Sequence, residues 1–240
     1  MDQEFACLTV LSSYPLSHGF ENGPPTRSCS AAAVEYHEHR LLLTVAHAVQ
    51  PDEAWAVELG YERIRGARLW NVGAMQYMLE VARDKARTVD FCFTSVPGDL
   101  RAKWQRFSDQ GQLVEERERI VLRSGFSMAP QPNVKYGFAG LTRRTSEPAP
   151  PGHPHAIAGA ELTVETGLTY RETADGLDTY DLGHRHPGDE HYVGCSGAPV
   201  LSEHGDLVGL VVCGSVSQAT VSALPLRRYR GAVDAALASS

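Results

Sequence analysis

Short runs of apolar and β-branched residues, separated by polar turns, recur along most of this chain. In the first half they predict strands at residues 29–36, 40–45, 54–59, 75–81 and 89–96, with a tight turn at 37–39. In the second half they predict strands at residues 117–123, 134–141, 161–170, 198–201 and 207–213. Many short strands separated by turn residues are typical of an all-β protein.

Two segments break this strand pattern. Residues 100–116 are rich in charged and helix-forming side chains and indicate a connector between two halves. We therefore expect one unit of 240 residues, with a first half over about 1–116 and a second half over about 117–240. After Pro225, apolar residues at near-helical spacing predict a C-terminal helix, at Leu226, Tyr229, Val233 and Leu237.

The composition is that of an ordinary globular domain. Hydrophobic residues make up 42% of the 240 positions and charged residues 21%, so the chain can bury a substantial core. The formal net charge of −7 disfavours nucleic acid as a partner, because phosphate binding needs a basic surface. No apolar stretch approaches the length of a membrane span, so we expect no membrane partner.

The cysteines and the N-terminus indicate a cytoplasmic location. The five cysteines are odd in number and show no Cys-x-x-Cys spacing. Cys92 and Cys213 lie in apolar runs, where we expect small, buried, reduced side chains, as in a reducing compartment. The first residues are acidic where a signal peptide would be basic.

The stretch from Gly194 to Val200 reads Gly-Cys-Ser-Gly-Ala-Pro-Val. A serine between glycines suits a tight turn that exposes its hydroxyl. In such a turn the backbone N–H groups of Gly194 and Ser196 can point at one spot. Acyl transfer needs this combination of a nucleophile and donors for the oxyanion of the transition state.

A base and a carboxylate stand upstream of this serine. The apolar run 41–46 ends at His47, at the end of a predicted buried strand. Asp90 lies inside another apolar run, where a buried carboxylate is costly unless it is paired. Orienting an imidazole is one reason to keep a carboxylate there. Taken singly, these could be a core histidine, a structural carboxylate and a turn serine.

The order His47, Asp90, Ser196 resembles that of the chymotrypsin-like serine proteases. Four stretches carry the resemblance, and with them it runs from about residue 30 to the C-terminus. They are 44–47, similar to Thr-Ala-Ala-His; 89–92, similar to an Asp-Ile-Ala-Leu-type segment; 194–199, similar to Gly-Asp-Ser-Gly-Gly-Pro; and 209–214, similar to the strand that pairs with bound peptide. The resemblance implies two six-stranded antiparallel β-barrels with a C-terminal helix.

The resemblance also implies a function, that of a serine endopeptidase acting on protein or peptide substrates without a cofactor. Ser196 would attack the scissile carbonyl, His47 would move its proton, and Asp90 would fix the tautomer of His47. The N–H groups of Gly194 and Ser196 would form the oxyanion hole. The alternative is a catalytically silent module with a protease fold that binds proteins, because a fold does not guarantee activity.

Cys195 departs from the family pattern. In trypsin-type zymogens the residue before the serine is an aspartate that pairs with the new N-terminus, and Cys195 cannot form that ion pair. The nucleophile turn must then be held constitutively, or by an activating protein partner or a ligand that orders it. The segment before His47 is about what the first strands require, so we expect no inhibitory prosegment. By analogy, we expect a regulated bacterial-type protease, such as a stress or defence effector.

The resemblance also suggests where substrate side chains bind. Val212, Cys213 and Gly214 would lie on the strand that pairs with substrate, and Glu190 and Thr220 would lie near the specificity pocket. An acid at the base of the pocket favours basic substrates. However, we expect Glu190 to be solvent-exposed, and Thr220 to make the pocket shallow, so basic specificity is not predicted.

A group of histidines raises the question of a metal site. His184, His186 and His191 lie close together in sequence. Zinc sites usually combine histidine with cysteine or carboxylate ligands at tighter spacings than these. We therefore expect a solvated loop here and no metal.

Overall fold

The computed structural model describes residues 3–19, 25–51, 53–62, 66–82, 85–108, 110, 112–147 and 157–239. The elements of the first half are α1 (Gln3–Ser12), β1 (Ser13–His18), β2 (Arg27–Tyr36), β3 (His39–Thr44), β4 (Trp55–Glu62), β5 (Gly66–Asn71), β6 (Gln76–Ala82), β7 (Lys85–Ser95), β8 (Lys103–Phe107), β9 (Leu113–Glu118) and β10 (Leu122–Arg123). Those of the second half are β11 (Lys135–Glu147), β12 (Ile157–Ala174), β13 (Leu177–Asp181), β14 (Pro199–Ser202), β15 (Leu207–Ser215), β16 (Thr220–Pro225) and α2 (Arg230–Leu237), with 3₁₀ turns at Asp189–Tyr192 and Leu226–Arg228.

The first half is built on one mostly antiparallel sheet in the order β5-β4-β1-β2-β3-β7-β6. The predicted hairpin is confirmed, with Tyr36 opposite His39 across a two-residue turn. Strands β2 and β3 are buried on both faces, which explains their continuous apolar runs. One face packs in a cluster with Tyr14 and Trp55, and the other packs against side chains of the second half, among them Leu210 and Val233.

The second half is a closed six-stranded barrel in the order β11-β12-β13-β16-β15-β14. Large aromatic side chains fill it: Tyr136, Phe138 and Tyr180 are almost fully buried inside. The Gly194–Val200 stretch runs directly into β14, and β14 and the next strand, β15, are part of this barrel and are buried along most of their length. The stretch is therefore anchored on a rigid element.

The expected all-β double-barrel fold with a C-terminal helix is confirmed, with several differences in detail. Among the described residues, the main sheet of the first half contains eight strands where six were predicted: seven follow one another in the path given above, and β10 pairs parallel with β2, with Leu122 opposite Val34. The segment 100–116 contributes to a separate hairpin of β8 and β9. The strands of the second barrel begin at Lys135, downstream of the boundary expected near Glu116. Helix α1 was not predicted.

The C-terminal segment makes hydrogen bonds to both halves. The Tyr36 hydroxyl donates to the carboxylate of Asp234 on α2. Arg227 makes two bonds to Asp178, which is fully buried in the barrel, at 2.5 and 2.7 Å. These bonds raise the pKa of Arg227, so the guanidinium stays charged. Across the described residues, no helix is long and apolar enough to cross a membrane.

Candidate active site

Strand pairing brings His47 and Asp90 together. Thr44, the last residue of β3, lies opposite Cys92 of β7, so that Asp90 is beside the turn that carries His47. The backbone N–H of His47 donates to Asp90 Oδ1 at 2.8 Å, and Nδ1 lies 2.8 Å from Oδ2. Because a carboxylate only accepts, it fixes the ring proton of His47 on Nδ1.

The Asp90 side chain is less buried than the sequence suggested. It keeps 30% of its surface exposed, and the His47 side chain keeps 48%. In β7 the residues from Phe91 to Thr94 are buried, whereas Asp90 lies beyond the end of β3, whose last residue pairs with Cys92. A carboxylate in that position remains partly hydrated and is still paired, so its desolvation cost is small.

Ser196 completes the array. Its Oγ lies 3.0 Å from Nε2 of His47. With the proton on Nδ1, the lone pair of Nε2 is free to accept the serine hydroxyl proton. The structure therefore brings together Asp90, His47 and Ser196, the three residues predicted from separate stretches of sequence, in one hydrogen-bonded chain.

The turn around Ser196 requires its two glycines. Gly194 has φ +92° and Gly197 has φ +83°, values that side-chain-bearing residues rarely adopt. A Cβ on Gly197 would lie 2.1 Å from the backbone oxygen of Ser30 and 2.2 Å from Thr44 Oγ1. Only glycine fits this close approach to β2 and to the end of β3, the strand that leads to His47.

The turn leaves two backbone donors unused. The N–H of Cys195 donates to the oxygen of Tyr192 at 2.9 Å, and that of Gly197 donates to Val211 at 2.8 Å. The neighbouring donors, the N–H groups of Gly194 and Ser196, have no backbone acceptor in the part of the chain that the structure describes. These are the two donors predicted for an oxyanion hole.

No protein-family model matches this chain, and no curated protein matches its sequence. It is similar in structure to neuropsin, a serine protease of mouse brain, with 13% identity, coverage of 96% of both chains and a TM-score of 0.56. Human heparin binding protein matches at 12% identity over 97% of this chain and 94% of that one, with a TM-score of 0.59.

A third similar structure is a serine endoprotease from Yersinia pestis, at 11% identity, 98% coverage of this chain, 66% of that chain and a TM-score of 0.52. The fold is that of the chymotrypsin-like serine proteases. At these identities the likeness concerns the fold alone, and a shared fold does not establish a shared activity.

Within the chymotrypsin-like fold, Cys195 is a sheltered thiol. Its side chain is fully buried against β11, where a Cβ on Gly140 would lie 2.7 Å from Sγ. Burial raises the pKa of the Cys195 thiol to about 12, and the charge of Glu165 adds to the effect. A thiol in this state is protonated and unreactive.

An acidic residue missed by the sequence analysis braces the segment that leads to Ser196. Glu165 of β12 is 7% exposed and accepts bonds from the Tyr192 hydroxyl at 2.7 Å and His184 Nε2 at 2.9 Å. His184 Nδ1 lies 2.9 Å from the oxygen of Arg185, so both ring nitrogens face acceptors. These bonds raise the pKa of His184, Arg185 first and Glu165 second. The one hint in the sequence is spacing: Thr163 and Glu165 are two residues apart, so on a strand both side chains point to the same, buried face.

The residues expected to bind substrate lie on the second barrel, on the 3₁₀ turn before Ser196 and on strands β15 and β16. Glu190 is exposed on its 3₁₀ turn, and Thr220 is buried where β16 pairs with Ser215. On β15, Val212 and Gly214 are half-buried. Cys213, predicted to be buried, is instead exposed, because a register shift between Val211 and Cys213 turns the strand at this point.

His186 is also placed differently from the sequence prediction. It was assigned to a solvated loop, but it is 3% exposed, and its Nδ1 accepts the N–H of Gly188 at 3.1 Å. Its Nε2 lies against Gly214, where a Cβ would be 2.5 Å away, and no partner for Nε2 occurs among the described residues. His186 therefore fills the space beside the proposed substrate strand. The described residues contain no group of three or more His, Cys, Asp or Glu that could hold a metal ion.

Proposed function

We propose that this protein is a serine endopeptidase that hydrolyses peptide bonds through an acyl-enzyme intermediate. The observation that carries the proposal is the continuous contact from Asp90 through His47 to Ser196, with His47 Nε2 at 3.0 Å from Ser196 Oγ. A nucleophile and a base within hydrogen-bond reach, with the base oriented by a third group, is the arrangement that activates a serine.

The chemistry follows from this geometry. Ser196 Oγ attacks the scissile carbonyl while His47 Nε2 takes its proton, and Asp90 stabilises the imidazolium that forms. The unused N–H groups of Gly194 and Ser196 donate to the oxyanion, each worth about 3 kcal/mol of barrier. His47 then gives its proton to the leaving amine, and the acyl-enzyme formed on Ser196 is hydrolysed by water in the reverse sequence of proton transfers.

We also propose that the activity is conditional and that the protein works in the cytoplasm. Five free thiols, among them the buried Cys29, Cys92 and Cys195, support a reducing compartment. A protease in the cytoplasm must spare its neighbours, which favours control by a partner protein. Hydrolysis of casein by the chain alone, without any partner, would contradict the conditional part only.

The proposed activity can be tested with a library of peptides digested from a whole proteome. The wild-type protein, alone and with a cell extract as a source of partners, should produce new cleavage sites, identified by mass spectrometry. Ser196→Ala should produce none. No cleavage by the wild type under either condition would instead favour the alternative, a silent module that binds proteins.

A further inference from the structure

Ser30 connects the nucleophile turn to the strand that carries the base. It lies on β2 and is fully buried. Its backbone N–H donates to the oxygen of Ser196 at 2.9 Å, and its backbone oxygen accepts the hydroxyl of Thr44 at 2.8 Å. Thr44 is on β3, which leads directly to His47. One residue therefore contacts the turn of the nucleophile and the strand of the base.

The hydroxyl of Ser30 adds a second hold on the turn. It donates to the oxygen of Gly194 at 2.9 Å and accepts the N–H of Leu141 at 3.1 Å. The C=O of Gly194 shares a peptide plane with the N–H of Cys195, which donates to Tyr192. Hydrogen bonds therefore hold both the C=O and the N–H of the Gly194–Cys195 peptide, and the bond to the C=O comes from the Ser30 hydroxyl.

We propose that Ser30 is a positioning residue that holds the Gly194–Cys195 peptide, and with it the oxyanion donor of Gly194, in the reactive arrangement. The inference rests on the proposed function. It gives a physical answer to the question that Cys195 raises, since Cys195 cannot form the activating ion pair of the zymogens. Here a hydroxyl from β2 holds the turn, so assembly of the turn does not require a partner.

Removing the hydroxyl has a defined consequence. In Ser30→Ala, the oxygen of Gly194 and the N–H of Leu141 lose the partner that the fully buried Ser30 hydroxyl supplies, while the backbone bonds of Ser30 remain. The turn then relaxes, and the Gly194 donor no longer faces the position of the oxyanion. This loss affects the reaction step and leaves initial binding intact.

The test compares Ser30→Ala with Ser202→Ala. Ser202 is also a buried serine, and its hydroxyl makes a similar set of bonds in the 202–206 turn, away from the nucleophile. The rate of labelling by a fluorophosphonate probe is measured at increasing probe concentrations. The curve gives the maximal labelling rate and the probe concentration at half-saturation separately. We expect Ser30→Ala to lower the maximal rate 10- to 1,000-fold with half-saturation within about twofold, as for loss of an oxyanion donor. Ser202→Ala should label within about threefold of the wild type.

A second measurement does not depend on activity. Hydrogen exchange by mass spectrometry on the peptide covering 190–198 should be at least about tenfold faster in Ser30→Ala, and unchanged in Ser202→Ala. Wild-type labelling rates and exchange rates in Ser30→Ala would overturn the proposal. If the wild type fails to label both alone and with a cell extract, the proposed function fails, and the exchange result alone decides whether Ser30 holds the turn.

Discussion

The backbone oxygen of Leu141 takes the space that a side chain on Gly194 would need. A Cβ at that glycine would lie 2.1 Å from this oxygen, closer than any real contact. Strand β11 therefore packs directly against the turn of the nucleophile and leaves no room for a side chain at position 194. The φ of +92° at Gly194 also favours glycine there.

Replacing Gly194 by alanine should damage the site more than the fold. Backbone strain costs on the order of 1–3 kcal/mol, and relief of the clash moves the Gly194 N–H. We expect probe labelling to fall at least about 100-fold, consistent with a lost oxyanion donor. Gly183→Ala is the control, since nothing lies within 4 Å of its Cβ position. Equal labelling of both variants would contradict the role of this close contact.

Asp90→Asn tests the orientation of His47. The amide group keeps the shape of the carboxylate but favours the tautomer with the proton on Nε2, which cannot accept from Ser196. We expect labelling to fall about 1,000- to 10,000-fold with little change in melting temperature. Asp189→Asn, at an exposed carboxylate on the 3₁₀ turn, should label like the wild type. A loss of less than tenfold in Asp90→Asn would count against the proposed role.

Arg227→Met tests the attachment of the C-terminal segment. It leaves the carboxylate of Asp178 buried with its charge uncompensated, which costs about 3–5 kcal/mol in the free energy of unfolding. The neighbouring Arg228 forms an exposed pair with Glu80 at 3.4 Å, so Arg228→Met should cost about 0–1 kcal/mol. Urea denaturation of both variants gives the comparison, and equal stability would show that the Asp178 pair does not anchor this segment.

The bond between His184 and Glu165 predicts a pH dependence of stability. The folded-state pKa of His184 is raised, so the charged ring stabilises the fold fully below its unfolded pKa of about 6.5. This contribution is lost as the pH rises through the folded pKa. The difference in melting temperature between wild type and His184→Ala should therefore be largest near pH 6 and shrink toward pH 9.

His204→Ala, at an exposed histidine, is the control for that pH series and should track the wild type. A difference between wild type and His184→Ala that stays constant from pH 6 to pH 9 would mean that the charge of His184 does not contribute to stability.

Much of the fold could be predicted because strands β2, β3, β14 and β15 are apolar and bounded by turn residues. Several strands were not predicted, among them β1, β5, β13 and β16. Strand β13 reads Leu-Asp-Thr-Tyr-Asp, and its inward residues include Asp178, which looks like a surface residue in the sequence. Its partner Arg227 is 49 positions away in sequence. A buried charge pair of this kind leaves no local signal. Helix α1 was missed because its apolar residues are not confined to one face.

The candidate site was predictable where chemistry and spacing coincide, at His47, Asp90 and Ser196. The supporting residues were not. Ser30 is an ordinary serine in a strand, and its contact with Gly194 spans 164 positions. His186 was read as a loop residue because nothing local shows that its ring packs against Gly214. The Ser30 contact forms only when the two halves of the chain meet, and the His186 contact only when the second barrel closes.

The most direct test of the proposed activity is the site of covalent modification. The protein is treated with a fluorophosphonate probe, digested and analysed by mass spectrometry, alone and with a cell extract. We predict one adduct, on Ser196, that disappears in Ser196→Ala and in His47→Ala. Absence of any adduct on the intact wild-type protein under both conditions, or an adduct that persists in Ser196→Ala, would contradict the account.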